Sequence, residues 1–190
     1  MNARGWRVSV IALGALALGA TAWAKEKEDP TEDISRAKHT METFKADDPG
    51  LEVHLKGAAG YAVFPSIGKG GLVVGGAGGK GILFEKGMAT GWTKMTQVSV
   101  GATVGGQSYS EVIIFKEQSA LNDFKKGQFA VASDASAVAG GAGASQSLKY
   151  TRGIAVITMA KGGLMAEASV GGQKFSFKEF EHPIAPVPKT

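Results

Sequence analysis

Apolar residues recur along this chain in two different rhythms. Ile34, Ala37, Met41 and Phe44 stand at helical spacing, which predicts an amphipathic helix with one apolar stripe. Asp29 followed by Pro30 supplies an N-cap with proline at the first helical position. Thr31-Glu32-Asp33 places negative charge at the positive end of the helix dipole. Asp47-Asp48-Pro49-Gly50 ends the helix, and a shorter one is predicted over Leu51 to Lys56. Arg36, Lys38 and Lys45 flank the stripe, but Asp33, Glu42 and Asp47 dilute their charge. The stripe is therefore expected to pack on a sheet rather than lie on a membrane.

From Gly57 the rhythm changes to short β runs separated by glycines. Tyr61 to Phe64 reads as a strand closed by Pro65. Leu72-Val73-Val74 and Ile82-Leu83-Phe84 flank a glycine cluster that reads as a hairpin. Val98, Val100, Ala102 and Val104 alternate with small polar residues and glycine, as in a strand with one buried face. Val112 to Phe115 is continuously apolar, which predicts burial on both faces. Ser119 to Lys126 reads as a short helix capped by Gly127. Ile154 to Met159 and Leu164 to Val170 are two further strands. The segment from His182 to Thr190 carries three prolines and is expected to be extended and loosely held.

Glycine packs nothing inside a strand and costs backbone entropy. Its frequency within the β runs predicts bulges and close backbone approaches, hence a strongly bent sheet. The expected fold class is β-rich α+β: curved, mostly antiparallel, glycine-rich sheet or sheets, half-barrel or sandwich-like. An N-terminal helix and one or two short helices accompany it.

The first residues suggest an address. Arg4 and Arg7 precede an uncharged run from Val8 to Ala20, and Ala22-Trp23-Ala24 matches a small-x-small cleavage site. This is the layout of a secretory signal peptide over 1–24. The run is shorter than the ~20 residues a spanning helix needs. An uncleaved anchor is the alternative. The expected organisation is a leader over 1–24, a mobile lead-in over 25–32, one domain over 33–180 and a proline-bearing tail over 181–190. The chain contains no Cys, which removes disulfides and a lipoprotein-type acylated cysteine. Export to the periplasm or envelope is the expectation.

Charge and motifs exclude several function classes. Lys plus Arg number 21 against 17 Asp plus Glu, too even a balance to argue for nucleic acid. Gly76-Ala77-Gly78-Gly79-Lys80-Gly81 satisfies G-x-G-x-x-G, but the strand-like Ile82-Leu83-Phe84 follows where a nucleotide fold needs a helix. No nucleotide or other cofactor is therefore expected. The histidines are His39, His54 and His182, with no H-x-x-x-H pair, so no metal site is expected. The serine hydrolase elbow G-x-S-x-G does not occur. The reading is non-enzymatic, with a hydrolase built from dispersed residues as a distant alternative.

Four lysines carry the candidate chemistry. Lys69 and Lys80 lie within glycine clusters, Lys86 precedes Gly87, and Lys161 precedes Gly162-Gly163. Exposed backbone amides of glycine-rich turns, with a nearby ammonium, form an anion nest suited to phosphate headgroups. The competing reading is that these lysines simply solvate turns. Trp92 and Tyr61 could add interfacial aromatic contact or pack in the core.

Longer blocks carry a resemblance. Gly60-Tyr61-Ala62-Val63-Phe64-Pro65-Ser66-Ile67-Gly68-Lys69-Gly70-Gly71, continued by Val74 to Gly81, resembles the SYLF lipid-binding domain family. So do Val104 to Phe115, Leu121-Asn122-Asp123-Phe124 with Gly127 and Phe129, and Gly153-Ile154-Ala155 through Gly163-Leu164. Together they cover about residues 33 to 180. The resemblance implies binding to membrane lipid, with Lys69 and Lys80 inside the matching block. Some family members touch actin or carry adapter domains, which an exported chain of this layout is not expected to share. The expected function is a non-enzymatic envelope protein that binds anionic phospholipid through a glycine- and lysine-rich surface. The alternative is a periplasmic structural or protein-interaction module with an envelope protein partner.

Overall fold

The computed structural model describes residues 29–71, 74–100, 103–127, 137–161 and 172–185. The leader, most of the lead-in, the expected Leu164–Val170 strand and the last five residues lie outside them. Helix α1 (Thr31–Asp47) and helix α2 (Leu51–Lys56) come first. Strands β1 (Gly60–Gly71), β2 (Val74–Glu85), β3 (Met88–Val100) and β4 (Thr103–Phe115) follow, then helix α3 (Gln118–Lys125). The two-residue β5 (Val138–Ala139), a 3-10 turn (Ala144–Ser147), β6 (Ile154–Lys161) and β7 (Lys174–Ile184) complete the elements of the described residues. All seven strands join one sheet in the order β5-β6-β4-β1-β2-β3-β7, antiparallel except for β5 with β6.

The connection from β3 to β4 requires this sheet to curl. Those strands are separated in the sheet by β2 and β1, so three spacings of ~4.8 Å would hold them ~14 Å apart if it were flat. Val100 and Thr103 are three residues apart in sequence, which limits their separation to about 11 Å. The expected bend is present, in one sheet rather than two.

Glycines on the inside of the curl show how it is made. A Cβ on Gly81 would lie 2.5 Å from the carbonyl oxygen of Val63, and one on Gly79 2.7 Å from that of Ser66. Strand β1 comes too close to β2 there for any side chain. These glycines therefore lie inside β2, not in a hairpin turn as their clustering predicts. Pro65 likewise does not end its strand. It sits at a register shift between Val63 and Ser66, a bulge where a missing amide is tolerated. The Val98–Val104 run is not one strand either: β3 ends at Val100 and β4 begins at Thr103.

Alternation divides β1 between two cores. Ala62, Phe64 and Ile67 pack on the inner, concave face with Leu83, Met95, Ile113, Phe115 and Phe175, where α3 adds Leu121 and Phe124. Val63, Ile82, Phe84, Val112 and Ile114 pack on the outer face under the predicted stripe of α1. Ile34, Ala37, Met41 and Phe44 are all buried there. Continuous Val112–Phe115 is buried on both faces, as its pattern predicts. Helix α1 begins one residue later than expected, yet Asp29 Oδ1 still accepts from the Thr31 amide at 2.9 Å. The expected tail overlaps β7, which pairs with β3 as far as Ala89 opposite Ile184.

Candidate functional site

Helix α1 covers only part of the outer face. Toward the glycine-rich end, aligned pairings form a row across six strands. Lys161 pairs with Ser108, Ser108 with Gly68, Gly68 with Gly78, Gly78 with Thr96, and Thr96 with Lys174. The row has a lysine at each edge, hydroxyls inside them and two glycines at its centre. The neighbouring row places Ser66, Lys80, Lys94 and Ser176 side by side. Val98, beyond Thr96 on the same face, is 76% exposed.

The central glycines differ from those inside the curl. A Cβ on Gly68 or Gly70 would meet nothing within 4 Å, and one on Gly78 would meet only the Met95 carbonyl at 3.5 Å. Packing forbids a side chain at Gly79 and Gly81 but not at Gly68 or Gly70. Bare backbone on an open face lets another surface approach closely.

A cleft of about 330 Å³ lies where α1 meets this face. Lys80, Lys161, Arg36 and Ser66 line it, with Asp33 beside them. Asp33 positions the wall: its carboxylate accepts from the Arg36 guanidinium and, at 3.2 Å, from Trp92 Nε1. The ammonium of Lys178 stands 4.8 Å from the Trp92 ring centroid. A second cleft, of about 170 Å³, lies among Trp92, Lys94, Ser176 and Lys178, and meets the first at Lys80. Cations thus outnumber anions here, and the arrangement can hold an anionic group.

The four lysines singled out in the sequence do not form one site. Lys80 and Lys161 come together in the first cleft. Lys69 follows Ile67 by two positions in β1, which directs it to the opposite, inner side. Lys86 occupies the two-residue β2–β3 turn with φ of 50°, followed by Gly87 at 80°. That turn lies six residues along β2 from Lys80, about 20 Å away. Trp92 and Tyr61 are half-buried against the outer core. Sequence reading missed Lys94 and Lys174, whose place depends on cross-strand register, and assigned Arg36 only to the flank of a helix. Lys94 could have been found by extending the Val98 alternation backward through Thr96 to Trp92.

Among the described residues no group of three or more His, Cys, Asp or Glu could hold a metal ion. No described helix is long and apolar enough to cross a membrane.

Residues 96–181, from the end of β3 into β7, match the family model Ysc84, described as Las17-binding protein actin regulator. The SYLF resemblance is borne out. A curated relative, beta cell expansion factor A of Aeromonas veronii, is 29% identical over 132 residues, covering 68% of this chain and 49% of that protein. The chain therefore spans about half the length of that relative. The family description and the relative's name both denote a binding or regulatory role rather than a chemical reaction.

Proposed function

We propose that this SYLF-type protein binds anionic phospholipid at the surface of an envelope membrane, using the uncovered outer face of its sheet. The observation that carries this reading is the row of open glycines between lysines. Gly68 and Gly78 lie between Lys161 and Lys174, with Lys80 and Lys94 in the next row. A side-chain-poor floor on the outer side of the curl lets a membrane approach the backbone closely, and the lysines supply roughly 1 kcal/mol each near an anionic leaflet. The cleft beside Arg36, Lys80 and Lys161 suits one phosphate headgroup at the margin of that floor. The leader-like 1–24 segment supports an exported location, periplasmic or envelope-associated.

Co-sedimentation with vesicles tests the reading. Binding is expected to phosphatidylglycerol-containing vesicles, with little to pure phosphatidylcholine. It should weaken as salt rises from 0.1 to 1 M, where screening shortens from ~10 to ~3 Å. Absence of binding to both vesicle types would refute it. The second reading, an envelope protein partner, rests on the same open face and would then be pursued by cross-linking.

A further inference from the structure

Glu111 lies on the inner face of β4 and is fully buried. Phe64 is its register partner on β1 and Thr158 on β6. Its hydrogen-bond partner comes from the other side of the curl. Gln173, immediately before β7, donates from Nε2 to Glu111 Oε2 at 2.9 Å. Strand β7 is four positions from β4 in the sheet, so this bond spans the open side of the curl. Gln173 is itself fully buried and also hydrogen-bonds Tyr109. Two residues later, Phe175 packs 5.8 Å from Phe64 and 5.2 Å from Phe124, between ring centroids.

The closure is short of donors. Glu111 Oε1 and Gln173 Oε1 are both buried without a hydrogen-bond partner, a costly condition in a low-dielectric interior. A proton on Glu111 removes the charge and adds a donor. Ionisation leaves a buried carboxylate held by one amide. Strand β7 is the element able to yield, because among the described residues it is an edge strand paired only with β3, and edges open at lower free energy than cores.

We propose that Glu111 is a proton-operated latch on β7: neutral, it holds the start of β7 closed over the inner face, and ionised, it releases that end and uncovers Phe64, Phe124 and Phe175. Burial pushes the Glu111 carboxyl up to about 7, against the opposing effect of the Gln173 hydrogen bond. Of the described groups packed around it, Tyr109 on β4 is the titratable one. Burial foremost, then the Glu111 charge, raises its phenol far above neutrality, so it stays protonated. Strand β1 presents Phe64, β6 presents Thr158, and β7 presents Gln173 and Phe175, with Phe124 of α3 against Phe175. The sign follows from a raised folded value. Closure is fully favoured below the ordinary carboxylate range and is lost as pH rises through about 7.

Hydrogen exchange on the full chain tests the latch. Protection of the Lys174–Lys178 amides, corrected for intrinsic rates, should fall about 30-fold from pH 5.5 to 8.5. Amides of Tyr61 to Phe64 should fall less. Glu111→Gln, which cannot ionise, should keep β7 protected across the range. A pH-independent β7 in the natural sequence would overturn the proposal. So would an unchanged pH dependence in the Gln variant, which would assign the effect to a group other than Glu111. If the variant does not fold, the natural sequence decides alone. Carbon-13 NMR should place the Glu111 carboxyl midpoint near 7, moving with β7 protection, and a midpoint below 5 would overturn the proposal.

Discussion

Asp48 joins the helical layer to the segment beyond β5, and its removal gives a sharp test of the packing account. It follows α1, is buried, and accepts two backbone hydrogen bonds: from Gly50 at 3.0 Å and from the buried Ser145 amide. Its own amide closes α1 on the Phe44 carbonyl. Asp48→Ala deletes both acceptors and leaves the Ser145 amide buried with its charged partner gone. A lost bond to a charged group is worth about 1.5–3 kcal/mol, and the Gly50 bond, nearer the surface, adds less. The total expected loss is about 3 kcal/mol, a large part of the 5–15 kcal/mol typical of a domain. With a urea slope of roughly 2 kcal/mol/M, the unfolding midpoint should drop by about 1.5 M at pH 7.

The pH dependence adds a second constraint. The Ser145 backbone hydrogen bond, chiefly, holds the Asp48 carboxyl below its ordinary value, against the opposing effect of burial. A depressed value stabilises the fold above the unfolded pKa of about 4, and that contribution is lost as pH falls through the folded value. The difference between natural sequence and Asp48→Ala should therefore be full at pH 7 and shrink below pH 4. A pH 7 difference under about 0.5 kcal/mol, the ordinary surface-substitution range, would refute the reasoning. So would one that does not shrink in acid.

The two glycine classes should separate in mutagenesis. Gly81→Ala forces a Cβ against the Val63 carbonyl and the Phe64 ring and should destabilise by about 1–3 kcal/mol in urea unfolding. Gly68→Thr, on open backbone, should leave stability unchanged or raise it by up to ~1 kcal/mol. It should nevertheless weaken sedimentation with anionic vesicles by roughening the floor. Phe124→Ala removes a fully buried ring shared with Phe115 and Phe175 and should cost about 3–5 kcal/mol by thermal or urea unfolding.

Much of the fold was legible because it depends on local spacing. The stripe from Ile34 to Phe44, the doubly buried Val112–Phe115 run and the α3 helix all obey one period over a few residues. The glycines of β2 were misread as a turn because their cause is not local. Gly79 and Gly81 are required by the approach of Val63 and Ser66, more than ten residues away. Pro65 was misread for a similar reason: a bulge depends on the partner strand. The candidate surface was half legible. Glycine-adjacent lysines could be recognised, but strand alternation sends Lys69 inward, Lys86 falls at the far turn, and cross-strand register adds Lys94 and Lys174. Gln173 could not be tied to Glu111 without knowing that the sheet closes on itself.

One face of the sheet, not lysine content in general, is proposed to bind anionic lipid. Paired substitutions measured by vesicle titration test it most directly. Lys80→Ala/Lys161→Ala alters the outer face, and Lys69→Ala/Lys86→Ala removes the same charge elsewhere. At about 1 kcal/mol per lysine, the first pair should weaken binding to phosphatidylglycerol-containing vesicles by roughly 30-fold. The second pair should stay within about threefold of the natural sequence. Equal weakening by both pairs, or none by the first, would contradict the account.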